Sequence, residues 1–422
     1  MQSTTFRPAR ERQAIKSRPF LGYWLIVFML FLLPLERWVF PLNIKVADFS
    51  LVVLTLYGFI VALLANKRIY FPLFWPMWCV IMGSLVATLI GLGHIKSIIA
   101  LIQEIYLFFW FVALTNILID QSKPTLNGLM KIWSLIASLE AMAVIMGALG
   151  IVAFFYTDPT GRIISAGGFH RGTGTFANPN AAAAYLAISF FVLLGTSWPT
   201  WVRFFLGLLM VAGMFASGSV GAMGSTAISF SILVIFNSTL KHPGKSIFWG
   251  AFFCFITASI IMLFLTVNFQ PLISTWGGKN VSDGLLSLTL GRFEGSLESR
   301  TDLIRDIWPV YRRHIFGIGP NASSTILGTL HNDYVAFLVE RGPLGLLGWL
   351  WIVLATVFTP FRSAVRQPDL SARWMIMVLG AGFLAIAINA LSHEVSHFRQ
   401  VWVLMAFIFA VCYSTSEHIK QR

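Results

Sequence analysis

Trp374–Leu391 reads WMIMVLGAGFLAIAINAL, with no charged residue and no alternation of apolar with polar positions. Ser246–Asn268, SIFWGAFFCFITASIIMLFLTVN, reads the same way. Runs of ~18 to 25 residues suit an α-helix crossing the ~30 Å hydrocarbon core of a bilayer. A transmembrane β-barrel would show ~10-residue alternating segments instead. Over such a length in lipid, only a helix satisfies its own backbone. The rest of the chain agrees: 57% of its 422 residues are hydrophobic, 11% are charged, and mean hydropathy is +0.77. A soluble domain carries about 25% charged residues. Soluble, disordered, collagen-like and disulfide-rich classes are all excluded on composition. Cys79, Cys254 and Cys412 lie in apolar runs and form neither a disulfide framework nor a metal spacing. The first apolar run begins near Phe20 and ends at Pro34 and Glu36 without a small-residue cleavage site, so no cleavable signal peptide is expected.

The expected fold is all-α and polytopic, with about 12 transmembrane helices. They start near Phe20, Ala47, Phe71, Ser97, Leu129, Pro179, Trp201, Val220, Ser246, Pro343, Arg373 and Phe398. Turn chemistry separates them at Asn66-Lys67-Arg68, Gln121-Ser122-Lys123-Pro124, Ser197-Trp198-Pro199 and Lys241-His242-Pro243-Gly244. The expected organisation is a basic tail over 1–19, spans over 20–269 with a loop at 157–178, and a long loop over 270–332. A short interfacial helix and the last spans follow over 333–415, then a tail over 416–422. The net charge of +13 needs no anionic partner. Arg7, Arg10, Arg12, Lys16 and Arg18 precede the first span. Lys67, Arg68, Lys123, Lys131, Arg203, Lys241, Lys245, Arg362, Arg366, Arg373, Lys420 and Arg422 continue the bias at every second loop. The positive-inside rule then puts both termini in the cytoplasm.

The long loop faces the other side, yet it holds Lys279, Arg292, Arg300, Arg305, Arg312 and Arg313. The positive-inside rule would deplete those positions. Ser299-Arg300-Thr301-Asp302 reads as a helix start, with a helix running toward Phe316 and kinked at Pro309. Arg300 falls on the face of Leu303, Ile304, Ile307 and Tyr311, where it either snorkels or meets an anion. A guanidinium fork suits phosphate. Beyond Gly317-Ile318-Gly319-Pro320 comes His331-Asn332-Asp333-Tyr334, with His331 at the N-terminus of a short helix that Gly342-Pro343 breaks. The positive end of the helix dipole disfavours imidazolium, and a neutral imidazole can accept a proton. A helix cap is the competing role for His331 and Asn332. Glu340 and Arg341 lie just inside the apolar region, where ionisable residues are functional or paired.

The loop over 157–178 offers Arg171 as a second phosphate partner, and glycines at 167, 168, 172 and 174 that permit close backbone approach. It is not a Walker loop, because no Gly-Lys-Ser/Thr follows. Asn178 and Pro179 read as the cap and first turn of the next span. His393-Glu394-Val395-Ser396-His397 matches the H-E-x-x-H zinc pattern, but it falls in a tight turn between spans and no third ligand is evident. These residues are expected to line the mouth of the bundle near Arg399, and no metal is expected.

Ser299-Arg300, Trp308, Gly317-Ile318-Gly319-Pro320, His331-Asn332 and Glu340-Arg341-Gly342-Pro343-Leu344-Gly345-Leu346 follow one another in order, preceded by Gly174-Thr175-Phe176-Ala177-Asn178-Pro179-Asn180. This succession resembles the O-antigen ligase / O-antigen polymerase family of bacterial membrane glycosyltransferases. The resemblance implies a GT-C-like transferase of the inner membrane whose active site faces the periplasm. Its donor would be a glycan on undecaprenyl pyrophosphate, its acceptor a glycan or lipid A–core, and it would use no nucleotide sugar or cofactor. Membrane lipids, polysaccharide export proteins and chain-length proteins are the implied partners, and nucleic acid is not one. The family's histidine matches His331; its long-loop arginine matches Arg300, with Arg292 as second choice. Many members carry Ser-Arg where this chain reads Ser219-Val220, so Arg171 is the candidate to take over that contact.

His331 and Arg300 are therefore the expected catalytic pair, and Arg171, Arg292, Asn178, Asn332, Glu340 and Arg341 the expected substrate-binding groups. Polymerisation of repeat units is the leading reaction and ligation to lipid A–core the alternative. A lipid-linked oligosaccharide flippase would show internal repeats and midplane charges. The sequence shows no repeat, and its polar candidates cluster at one face.

Overall fold

The computed structural model describes residues 20–40, 44–92, 95–157, 165–166, 169–241, 307–326, 328 and 330–420. The chain is an all-α polytopic membrane protein. The helices are α1 (Phe20–Leu32), α2 (Val46–Leu64), α3 (Phe74–Ile90), α4 (Ile95–Ile119), α5 (Lys123–Ala148), α6 (Pro179–Leu194), α7 (Thr200–Ser217) and α8 (Val220–Lys241). After the segment beyond α8 come α9 (Ser323–Ile326), α10 (Asp333–Arg366), α11 (Leu370–Asn389) and α12 (Arg399–Lys420). Residues 307–313 are also helical. Among the described residues, seven helices are long and apolar enough to cross a membrane, and four shorter apolar helices lie with them. The span expected from Ser246, the basic tail and most of the long loop fall outside the described residues.

Helix starts differ from the hydropathy reading where a capped polar turn precedes the apolar run. Helix α5 begins at Lys123 instead of Leu129: Ser122 accepts the Thr125 N–H at 3.4 Å and Pro124 sits in the first turn. The Lys123-Pro124 pair expected in a turn is thus helical, and Lys131 lies within the helix. Helix α11 begins at Leu370, before Arg373, because Asp369 accepts the Ser371 N–H at 3.0 Å. These caps each contribute about 1 kcal/mol.

The centre of the bundle is α6 with α11. Helix α6 packs on α5, α7 and α11, and Ala181–Ala184 are buried on every side. Such small side chains let helices approach closely where lipid supplies no hydrophobic drive. Helix α10 lies along α3. There a Cβ on Gly83 would stand 2.7 Å from the Gly345 amide nitrogen, so only glycine allows the contact. Around the outside, Leu63, Leu64, Phe204, Phe205, Leu208 and Leu347 are more than half exposed. That apolar surface suits lipid.

Successive loops fall at opposite ends of the bundle. At one end Lys67 pairs with Asp120 at 2.6 Å, Lys123 with Asp369 at 3.2 Å, and Asn127 bonds Ser197 at 2.6 Å. At the other, the described residues within 33–45, 149–178, 307–332 and 390–398 are laced together. Arg37 donates its backbone N–H to Thr175 at 2.9 Å, Leu92 to Ile318 at 3.2 Å, and Asp333 to Ala390 at 2.9 Å. Two short ladders, β1 (Val39–Phe40) with β2 (Ile44–Lys45) and β3 (Ser165–Ala166) with β4 (Phe169–His170), also lie in these loops. Helix α10 is broken at Gly342, whose φ of +68° and ψ of −173° leave the helical region. The break separates a short first segment carrying Glu340 and Arg341 from the long apolar segment that follows.

Candidate functional site

His331 precedes α10 in a left-handed conformation, φ +52°. For a side chain with a Cβ this costs on the order of 1–3 kcal/mol and persists only where surrounding bonds impose it. The next residue, Asn332, caps the helix, accepting the Val335 N–H at 3.1 Å and donating to the Leu391 carbonyl at 3.1 Å. The His331 ring stacks against His393, with centroids 5.6 Å apart and planes 27° from parallel. Both rings line a cavity of about 200 Å³ together with Glu36, Lys45, Asn178, Glu394 and His397. Four loops far apart in sequence meet there.

Lys45 Nζ donates to Glu36 at 2.5 Å, and both side chains are largely buried. The other Glu36 oxygen is buried and has no hydrogen-bond partner among the described residues. Just below, Arg399 donates to both oxygens of Asp48, at 3.0 and 2.8 Å, while Tyr106 donates to Asp48. That pair ties the start of α12 to the start of α2. A second cavity of about 200 Å³ shares Glu394 and His397 with the first. It runs between α3, α4, α10 and α12, with Met77, Leu107, Phe337, Trp349 and Trp402 as an apolar wall and Glu104, Glu340 and Arg341 as polar lining. The two neighbouring spaces share Glu394 and His397, and the second combines an apolar wall with a row of ionisable side chains.

Glu394 accepts the N–H groups of Leu330 at 3.0 Å and His331 at 3.3 Å. Burial, followed by the Glu340 carboxylate, pushes the Glu394 carboxyl above its ordinary range, against the pull of those two N–H groups and Arg341. His397 lines both cavities. Desolvation by the surrounding protein, then Lys45, Arg399, His393 and Arg341, lowers its imidazole below the ordinary histidine range. A neutral imidazole among cations can accept hydrogen bonds but carries no charge of its own.

The described site residues separate into three groups, and two others lie outside the described residues. His331 and Asn178 line the same cavity, and Asn178 also caps α6, accepting the Asn180 N–H at 2.8 Å. Asn332 is a cap beside it. Glu340 and Arg341 line the second cavity but are engaged within the protein. Arg341 donates to Glu104 at 2.7 Å and to Glu340 at 2.9 Å, and it covers the Phe337 ring at 4.2 Å, while Ser323 donates to Glu340. Arg171 donates to the Ser217 carbonyl at 2.9 Å and to Asn180 at 3.0 Å, which sets it beside the Ser219-Val220 position. Arg300 and Arg292 lie outside the described residues.

Sequence reasoning missed Lys45, Glu36 and Glu140. Lys45 carried a usable signal, since it is a lysine between two spans at the end that the positive-inside rule depletes. Glu140 lies buried within α5 and accepts the Thr175 N–H at 2.8 Å and its hydroxyl at 2.6 Å, which fastens the 173–176 turn. A carboxylate inside an apolar run is itself a signal. The zinc-like pattern at 393–397 is a turn and not a helix. Its two histidines therefore do not share the i, i+4 face that a zinc helix needs, and no group of three metal-binding side chains occurs among the described residues.

Residues 205–350 match the family model described as O-antigen ligase. The match runs from α7 through the first half of α10, taking in His331, Asn332, Glu340 and Arg341, together with Arg292 and Arg300. Arg171, Asn178 and the 390–399 turn lie beyond it. No curated protein matches the chain significantly. Over those residues, about a third of its length, the chain is similar to the O-antigen ligase family.

Proposed function

We propose that the protein is a membrane glycosyltransferase that moves a glycan from a lipid pyrophosphate carrier, undecaprenyl pyrophosphate, to a sugar hydroxyl, polymerising repeat units of a surface polysaccharide. The observation that carries the reading is His331, inside the matched region and lining a cavity with Glu36, Lys45 and Asn178, beside a second cavity walled by Met77, Leu107, Phe337, Trp349 and Trp402 with Glu104, Glu340 and Arg341. The acceptor hydroxyl attacks the anomeric carbon as its proton passes to the His331 imidazole. The bond from that carbon to the phosphate oxygen breaks, its electron pair stays on the departing lipid pyrophosphate, and the configuration inverts. General-base help of this kind contributes about 10²–10⁴-fold. The charge growing on the leaving oxygen calls for cations placed in advance. Arg300 is assigned that role, with Arg292, Arg171 and Lys45 as further cations. Glu36 and Asn178 would receive or donate hydrogen bonds to sugar hydroxyls.

The site lies at the end of the bundle away from the Lys67 and Lys123 pairs, which supports a periplasmic site in the inner membrane with both termini in the cytoplasm. Ligation to lipid A–core remains a second reading because the matched family model is described as a ligase. Complementation tests both. In a strain lacking the protein, His331→Ala and Arg300→Ala, each confirmed in the membrane, are expected to leave surface glycan as single repeat units on a sizing gel. Long chains retained on the lipid carrier would instead assign the ligase reaction. Full activity in both variants would overturn the transferase site.

A further inference from the structure

The His393-Glu394-Val395-Ser396-His397 turn reads as a metal motif in sequence but not in the fold, and its side chains do something else. Leu330 and His331 present successive N–H groups to one Glu394 oxygen, at 3.0 and 3.3 Å. Successive N–H groups beside a left-handed residue form a nest that suits an oxygen acceptor; here a carboxyl oxygen of the protein fills it. The lacing runs both ways. Asp333 accepts the Val395 N–H at 2.9 Å, the Ser396 N–H at 2.8 Å and the Ser396 hydroxyl at 2.8 Å. Each loop thus supplies the carboxylate that fills the other's donors. In the same turn, the His393 ring stacks on the His331 ring.

We propose that Glu394 is a positioning residue for His331, and that the 393–397 turn is a clamp holding the proton acceptor in its left-handed conformation. The proposal rests on the reading of His331 as base. Glu394 fixes the backbone at the residue whose ring must point into the cavity, while Asp333 separately secures the turn to α10. Removing Glu394 therefore frees His331 without releasing the loop. His393 limits the freedom of the ring from one side.

The test uses the full-length protein in lipid nanodiscs. Its donor is the lipid-linked repeat unit extracted from cells that make the chain, and kcat, KM and melting temperature are measured. Glu394→Ala is expected to lower kcat about 100-fold, the cost of misplacing a reacting group by about 1 Å, while leaving KM for the donor within about two-fold. Glu394→Gln keeps an acceptor oxygen at the same place and is expected to recover at least about a tenth of the wild-type kcat. In a His331→Ala background, Glu394→Ala should cause no further loss. Unchanged kcat in Glu394→Ala, a KM that rises in step with the fall in kcat, or an additive loss in the His331→Ala background would each overturn the clamp. If Glu394→Ala does not fold, Glu394→Gln and Glu394→Asp decide, and equal inactivity of both also overturns it. His331→Ala is read separately: wild-type activity there removes the base reading itself, whereas inactivity there with a fully active Glu394→Ala removes only the clamp.

Discussion

Arg399 and Asp48 form a buried pair whose members come from opposite ends of the chain, and its geometry leaves neither charge open to water. Asp48→Asn keeps the shape but strands the guanidinium. Breaking such a pair from one side costs about 3–5 kcal/mol, so the variant is expected to melt well below the wild type in detergent. Equal melting would show that the pair contributes nothing. Glu394 carries the opposite expectation. Its carboxyl is raised in the folded state by burial and by Glu340. Folding therefore favours the protonated form, and that stabilisation is present at low pH and lost as pH rises through the raised value. Glu394→Gln removes the loss and should melt above the wild type at neutral pH, even as kcat falls; a lower melting point would contradict this. The sequence made the placement of Asn178 and of the His331-Asn332 pair at helix starts legible, because cap patterns are local. The Glu36–Lys45 pair and the link from Glu394 to His331 were not legible in this way, because their partners are joined only by the fold.

Helices were legible for a related reason. An apolar run long enough to cross a bilayer leaves its backbone one regular structure, and the expected spans recur along the described chain. Their first turns were less legible, since a polar capped turn such as Ser122-Lys123-Pro124 looks like a loop to a hydropathy reading. Helix contacts were not legible at all. Gly83 and Gly345 are ordinary glycines in sequence, yet their backbones touch across α3 and α10. Gly83→Leu is expected to push these helices apart and open the Glu104–Arg341 pair, with a marked drop in monodisperse protein on size-exclusion chromatography. A profile like that of the wild type would show that the contact tolerates a side chain.

The whole molecule is asymmetric along the membrane normal. At one end, short links are pinned by surface pairs, which contribute at most about 1 kcal/mol each. At the other, longer loops build cavities. Single cysteines at Asn66 and Ser122, in a background without Cys79, Cys254 and Cys412, are expected to be labelled from the cytoplasm by an impermeant maleimide. Cysteines at Leu92 and Ile151 should label from the opposite side. Labelling of all four from one side would refute the bundle's orientation. The ties that complete the site also impose an order in time. Glu36 and Lys45 enter the membrane early in synthesis, whereas Glu394 and Arg399 arrive with α12. A chain that lacks its final helix therefore holds only scattered pieces of the chamber, and the lining is complete only once the segment before α12 is in place. Assembly of the chamber is thus the last event in the making of the fold.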